Sequence, residues 1–242
     1  MLLQRNDRIA LPALVGVICS PADLRNALEL PTPPDFFEVR LDAMAPRLEA
    51  LGDDIGKLAA PLILTVRHPA EGGRNRLSLR DRRALFFRFL ARATYVDVEL
   101  RSVRHLAPLV RKARARAVGI IISFHDLKGT PTLARLEKVV CAANSLGADV
   151  LKIATRTDNL EQLTRLREVL LRHRHRGRIT VLGIGRLGRR SRSEFAALGC
   201  ALAYGHLGKS GVAGQPSLEE LRRMPAKPPR AALPIRPFVQ PD

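Results

Sequence analysis

Along the chain, short β-type runs recur at fairly regular spacing, at 13–20, 36–42, 61–67, 95–100, 118–125, 150–154, 179–185 and 200–206. Most of the segments between them, including 22–30, 78–93, 130–146, 160–173 and 217–224, read as helix. The 130–146 segment opens well, with Thr130 as the expected cap and Pro131 in the first turn. Eight strand–helix units in 242 residues predict an α/β fold, a (β/α)8 TIM barrel, ahead of a doubly wound sheet. Residues 1–224 are assigned to this single barrel domain. The segment 225–242, which carries six prolines, reads as an extended or disordered tail outside the core.

Several strands alternate in an informative way. In 36–42, Phe37, Val39 and Leu41 take one parity and Glu38, Arg40 and Asp42 the other; in 95–100, Val96, Val98 and Leu100 oppose Asp97 and Glu99. Thr65 shares a face with Arg67, and Ser123 with His125. Parallel strands covered by helices normally read apolar on both faces. A polar parity therefore predicts a charged barrel interior near the C-terminal rim, where barrel active sites lie. The run 149–156, DVLKIATR, adds a lone Lys152 between Leu151 and Ile153. A buried ammonium must reach water, pair with an anion or lose its proton. Lys152 is thus either a snorkelling or edge-strand lysine or a nucleophile.

As a nucleophile in a desolvated, cation-rich pocket, a lysine amine attacks a carbonyl to form an imine, and the protonated imine acidifies the adjacent carbon. His125, at the tip of the preceding strand, is the candidate base, with Asp126 or Glu71 setting its tautomer. The reaction class is imine-mediated elimination or aldol chemistry. Asp97 and Glu99 read as supporting groups for buried cations. Arg40, Arg67 and Arg192 suit a carboxylate or hydroxyls, and Glu38 suits hydroxyls and the orientation of Arg40. The glycine-rich runs 184–192 and 205–215 suit a phosphate, a carboxylate or, for the second, a flexible lid.

Composition narrows the setting. No apolar run approaches twenty residues, so a membrane span is not expected, and without an export signal the cytoplasm is the default location. Cys19, Cys141 and Cys200 are far apart in apolar or small-residue settings and read as buried thiols. The formal charge of +18 comes mostly from arginine, with six basic residues and no acid in 101–116 and a second patch at 173–178. No nucleic-acid-binding motif accompanies these patches, which read as solvated surface rather than a specific nucleic-acid site. His173 and His175 lack identifiable partners for a metal, and neither metal nor cofactor is called for.

Taken in order, EVRLD at 38–42, TVRHPAEGG at 65–73, DVE at 97–99, SFHD at 123–126 with TP at 130–131, LKIA at 151–154, GxxGRRSR at 185–192 and GQ at 214–215 closely resemble type I 3-dehydroquinate dehydratase, the Schiff-base enzyme of the shikimate pathway. The similarity spans about 15–221. It implies a dimeric (β/α)8 barrel that converts 3-dehydroquinate to 3-dehydroshikimate by syn elimination without metal or cofactor. By that resemblance Lys152 forms the imine, His125 moves the protons and Glu71 pairs with His125, ahead of Asp126. Glu38, Arg40 and Arg67 match substrate-hydroxyl and active-site contacts, Arg192 the carboxylate-binding arginine, and Gln215 the lid glutamine. One departure stands out: members commonly read SAPGQ where this chain reads GVAGQ at 211–215. Gly211 has no side-chain donor, Ser210 is one residue early, and Ala213 replaces proline. The expectation is a KM raised about tenfold, for one lost hydrogen bond of roughly 1.4 kcal/mol. Two rivals remain: a class I phosphosugar aldolase, and a catalytically weakened barrel serving as a binding or regulatory protein.

Overall fold

In the computed structural model, which describes residues 8–9, 12–175, 178–223 and 233–234, the apolar runs form eight parallel strands. They are β1 Ala13–Ile18, β2 Phe36–Arg40, β3 Leu62–Thr65, β4 Ala93–Glu99, β5 Gly119–Asp126, β6 Val150–Arg156, β7 Ile179–Ile184 and β8 Leu202–His206. The helices that follow them are α1 Pro21–Leu28, α2 Leu48–Gly56, α3 Leu79–Phe89, α4 Ala107–Ala115, α5 Leu133–Ser145, α6 Leu160–His173, α7 Gly188–Ala197 and α8 Leu218–Arg223. Neighbouring strands pair in sequence, and β8 pairs back onto β1. Across the remaining seam, between β7 and β8, Ala201 N–H donates to Ile179 O at 2.8 Å and Leu202 N–H to Thr180 Oγ1 at 2.8 Å. A threonine hydroxyl stands there in place of a ladder carbonyl, and the sheet is a nearly closed (β/α)8 barrel.

Strand parity separates two apolar layers. Outward residues such as Phe37, Val39, Val96, Val98 and Ile122 pack under the helices. Inward residues Phe36, Ile63, Tyr95, Ile121 and Val150, from five consecutive strands, plug the N-terminal half of the barrel, with Phe36 and Tyr95 edge to face at 5.6 Å. Two residues further along each of these strands the inward position turns polar: Glu38, Thr65, Asp97, Ser123 and Lys152. Burying one large apolar side chain stabilises by about 1.5–3 kcal/mol. The plug thus offsets the cost of sinking ionised groups above it.

Helix starts follow local capping chemistry. Ser20 and Ser78 accept the N–H groups of Asp23 and Asp81, and Asn159 with Gln162 forms a capping box. Helix α5 departs from expectation: its cap is Thr132, while Thr130 turns inward to bond Thr155 Oγ1 at 2.8 Å and Arg156 O at 2.7 Å. With its hydroxyl committed to Thr155 and Arg156, Thr130 has no side-chain bond to offer a helix N–H, and the cap passes to Thr132.

The cysteines also differ from expectation. Cys200 is buried, but Cys141 is exposed and Cys19 half-buried. On α5 the buried stripe is Leu136, Val139, Val140 and Ala143, so Cys141 falls beside it. Of the expected tail, only Leu233–Pro234 is described; it pairs antiparallel with Arg8–Ile9, and the rest lies outside the described residues.

Candidate active site

The polar half of the barrel is a connected set of ion pairs. Lys152 Nζ lies 3.2 Å from Glu38 Oε1 and 3.1 Å from Asp97 Oδ2, and 3.9 Å from the centroid of the Tyr204 ring. Arg67 grips Asp97 with both terminal nitrogens, at 3.0 and 2.8 Å, and reaches Glu99 at 3.3 Å and Ser123 Oγ at 2.6 Å. Glu99 is held from its other side by Arg82, at 2.6 Å. Thr65 Oγ1 donates to Glu38 Oε1 at 2.7 Å. All these side chains are buried. Burial alone would raise the Asp97 carboxyl, but the charges of Arg67 and Lys152 hold it well below the usual carboxylate range. The cation-rich surroundings expected for Lys152 are therefore carboxylates at contact distance, with Arg67 behind them.

His125 and Glu71 form a second unit. Glu71, in the turn after β3, receives the His125 backbone N–H at 3.0 Å, and its Oε2 lies 2.9 Å from His125 Nδ1. Burial, then the charges of Arg67 and Lys152, lower His125 well below its ordinary value, so the ring is neutral at pH 7. Burial, then the charge of Glu99, pushes Glu71 up to about 7. With Glu71 ionised, Nδ1 carries the ring proton and Nε2 keeps its lone pair.

Arg40 is fixed by Asp42 through two bonds of 2.9 Å, not by Glu38 as expected from their shared parity. Asp42 also accepts the N–H groups of Arg67 at 3.1 Å and Arg74 at 2.9 Å. The cations so far are matched: Arg40 with Asp42, Arg67 with Asp97, Arg82 with Glu99, Lys152 with Glu38. Arg192, on α7 and 5% exposed, is not matched. Among the described residues its one hydrogen bond runs from NH1 to Tyr204 O at 3.5 Å, and its Nε has no partner. Burial pushes this guanidinium down to about 10, which leaves it charged at pH 7. A buried cation without a carboxylate of its own, beside four cations that each have one, is a seat for one anionic group.

A cavity of about 800 Å³ joins these parts. Of the candidate residues, Lys152, His125, Glu71, Glu38, Arg40, Arg67, Arg192, Gln215, Ser210 and Gly211 line it. Asp97 and Glu99 lie beneath as carboxylate partners, whereas the Asp126 carboxylate caps the N–H groups of Lys128 and Gly129, at 2.9 and 3.2 Å, and makes no bond to the His125 ring. Ser210 closes its own turn, donating from Oγ to Val212 O at 2.7 Å. The glycines of the last two loops bring backbones together: Gly185 N–H donates to Ala213 O at 3.0 Å, and a Cβ on Gly214 would lie 2.7 Å from Gly185 O. Among the described residues no group of three or more His, Cys, Asp and Glu is placed to hold a metal ion. The sequence reading missed Tyr204, Arg82 and Arg74. Tyr204, one of only two tyrosines, was legible as an inward position of β8, while Arg82 and Arg74 sit among other arginines and carry no distinguishing signal.

Comparison with known proteins agrees with this geometry. The family model described as type I 3-dehydroquinase matches residues 20–225. The chain is 36% identical over 193 residues to 3-dehydroquinate dehydratase of Thermococcus gammatolerans, covering 78% of this chain and 86% of that protein. It is 31% identical over 194 residues to the protein of that name from Methanocaldococcus jannaschii, covering 78% and 86%. Among solved structures, type I 3-dehydroquinate dehydratase of Clostridium difficile superposes with a TM-score of 0.79 at 23% identity, covering 89% of this chain and 92% of that one, a likeness of fold. The Aquifex aeolicus 3-dehydroquinate dehydratase gives 0.71 at 26% identity, covering 88% and 96%. The chain belongs to the type I 3-dehydroquinase family.

Proposed function

We propose that this chain is a 3-dehydroquinate dehydratase, a hydro-lyase of the shikimate pathway that works through a Schiff base on Lys152. The observation that carries the reading is the convergence on one cavity of a buried lysine, a neutral histidine fixed by a carboxylate, and a buried arginine without a counter-ion. Substrate enters with its carboxylate against Arg192, the buried arginine of the cavity that has no carboxylate partner among the described residues. The Lys152 ammonium passes one proton to His125 Nε2, the freed amine adds to the C3 carbonyl, and His125 returns that proton to the carbinolamine hydroxyl, which leaves as water; the iminium keeps the positive charge, facing Glu38, Asp97 and the Tyr204 ring. His125 Nε2 takes the C2 proton as the C2–H electrons move into the enamine. The enamine then expels the C1 hydroxyl, which leaves as water with the proton that His125 returns. Hydrolysis of the conjugated iminium uses the water released when it formed, so the net change is one substrate to one product and one water.

In this reading Glu71 holds the His125 tautomer, Arg40 and Glu38 contact ring hydroxyls, and Gln215 closes over the substrate from the lid. Arg67 has both terminal nitrogens engaged by Asp97, Glu99 and Ser123, so it acts by ordering the carboxylates around Lys152. The test is to mix protein and 3-dehydroquinate, reduce with borohydride and map the adduct by peptide mass spectrometry. An adduct on Lys152 together with absorbance of the conjugated product supports the reading; a folded protein with neither turnover nor adduct refutes it. We also place the chain in the cytoplasm, without membrane attachment or specific nucleic-acid binding, and, by family resemblance, as a homodimer. Among the described residues no helix is long and apolar enough to cross a membrane. Sedimentation at micromolar concentration tests the dimer, and salt-resistant retention of mixed-sequence DNA or RNA would count against the rest.

A further inference from the structure

Two exposed cations line the cavity without a role in the scheme above, Arg74 and Lys209, and Arg74 is the one anchored to a buried carboxylate. Arg74 follows the paired glycines of the β3–α3 loop; it is exposed and lines the cavity. Its backbone is firmly placed, with its N–H on Asp42 Oδ2 at 2.9 Å. The next residue, Asn75, has a left-handed φ of 60° and donates its side-chain amide to Asp42 O at 2.9 Å. Because Asp42 also fixes the Arg40 guanidinium, one buried residue organises two neighbouring arginines of the site.

Opposite Arg74 stands the lid. Between Lys209 and Gln215 it offers no free side-chain donor: Ser210 is engaged with Val212, and the others are Gly211, Val212, Ala213 and Gly214. Gly211 is not among the glycines with positive φ, so backbone conformation does not demand it. A Cβ there would lie 3.0 Å from an Arg74 terminal nitrogen, a contact tight enough that the guanidinium must give by a few tenths of an ångström.

We infer that Arg74 is a substrate-contacting residue, which supplies across the mouth the donor that the lid lacks, and that Gly211 is small to give its guanidinium room. This rests on the dehydratase reading and deepens it. The ligand groups are hydroxyls of a polyhydroxylated ring, which the fixed donor fork of arginine meets in pairs. The assignment reverses the expectation drawn from the lid sequence: a serine at 211 displaces Arg74 rather than restoring a missing contact.

Steady-state kinetics on the parent, Arg74→Ala, Gly211→Ser and the double variant test it, with borohydride trapping of Lys152 at saturating substrate on each. Alanine at 74 keeps the N–H that binds Asp42, and Arg74→Met, which keeps the stem, replaces it if circular dichroism shows a lost fold. Arg74→Ala is expected to raise KM about tenfold, one hydrogen bond to a charged donor, while kcat falls less than about threefold. Gly211→Ser is expected to raise KM in the parent but not in the Arg74→Ala background, because there is then no guanidinium to displace. A KM within about twofold of the parent for Arg74→Ala, or strictly multiplicative effects in the double variant, overturns the assignment. A parent that neither turns over nor traps sinks the dehydratase reading and this assignment with it. A parent that traps alongside independent variants sinks the assignment alone.

Discussion

Replacing Lys152 with methionine separates what the lysine does for the barrel from what it does for the reaction. The substitution nearly conserves volume and leaves a thioether against the Tyr204 ring, so packing changes little. What it removes is the cation 3.2 Å from Glu38 and 3.1 Å from Asp97. Asp97 keeps its two bonds to Arg67, but Glu38 is left with Thr65 and with Arg67 at 3.8 Å. Breaking a buried pair by deleting one partner costs about 3–5 kcal/mol, and because water in the open cavity reaches Glu38 once the ammonium is gone, the cost here is reduced below that range, to about 2–3 kcal/mol. At about 2–4 °C per kcal/mol for a chain of this size, Lys152→Met should melt about 4–12 °C below the parent. Adding Glu38→Gln, which removes the stranded charge and keeps an acceptor for Thr65, should recover most of that loss while leaving the protein inactive and without adduct. Calorimetry on the three proteins decides the matter. A Lys152→Met variant as stable as the parent, or a double variant that recovers nothing, means that the ion pairs do not hold the barrel interior as argued.

Three further outcomes follow from the same geometry. Glu71, pushed up to about 7, takes a proton as the pH falls through neutrality; it then donates to His125 Nδ1 and shifts the ring proton to Nε2, so kcat/KM should fall below about pH 7. Glu71→Gln should be slower and lack that limb, and an unchanged limb refutes the assignment. Arg192→Gln removes a buried cation without a counter-ion, so KM should rise about 30- to 150-fold, for about 2–3 kcal/mol of charge-assisted bonding, while the melting temperature rises; a drop in stability would mean that Arg192 is paired in the free protein. Thr180→Val leaves the Leu202 N–H without its acceptor at the barrel seam and should cost about 1–3 kcal/mol in denaturant unfolding with kcat little changed.

Much of this architecture was readable from parity. Strands 36–42 and 95–100 announced a polar inner face, and the observed strands agree within a few residues because period-two alternation survives any error at the ends. Parity told which face a residue takes, not which partner it finds. Glu38 and Arg40 share a face, yet Arg40 turns to Asp42 and Glu38 to Lys152, a choice made by strand stagger and the turn after β2. Arg82 shows the limit most plainly: in LRDRRALFFRF several arginines alternate with apolar residues, and only packing on Val66 O, Ser102 and Glu99 singles out the buried one. Thr130 and Thr132 are equivalent cap candidates by type, and the inward bonds of Thr130 to Thr155 and Arg156, which no local pattern shows, decide between them.

The charge balance of the interior also bears on the class I aldolase alternative. A phosphosugar brings a group with close to two negative charges, and a buried seat for it needs either two or more free cations or a set of backbone donors. The buried arginines and lysine of the cavity are committed to carboxylates, except Arg192. The glycine-rich loops, which elsewhere cradle phosphate, spend their close approach on each other: Gly185 N–H is bonded to Ala213 O, and Gly188 to Gly185 O at 2.9 Å. A dianion placed beside Arg192 would meet one buried counter-charge while Glu38 stands nearby, because Arg74 and Lys209, which also line the cavity, are exposed at its mouth, so much of its desolvation would go uncompensated. A monocarboxylate meets one guanidinium with two matched bonds and no charge left over. The interior therefore discriminates by charge before shape, and inorganic phosphate should inhibit turnover no more than its ionic strength accounts for, whereas small monocarboxylates that carry ring hydroxyls should compete with substrate.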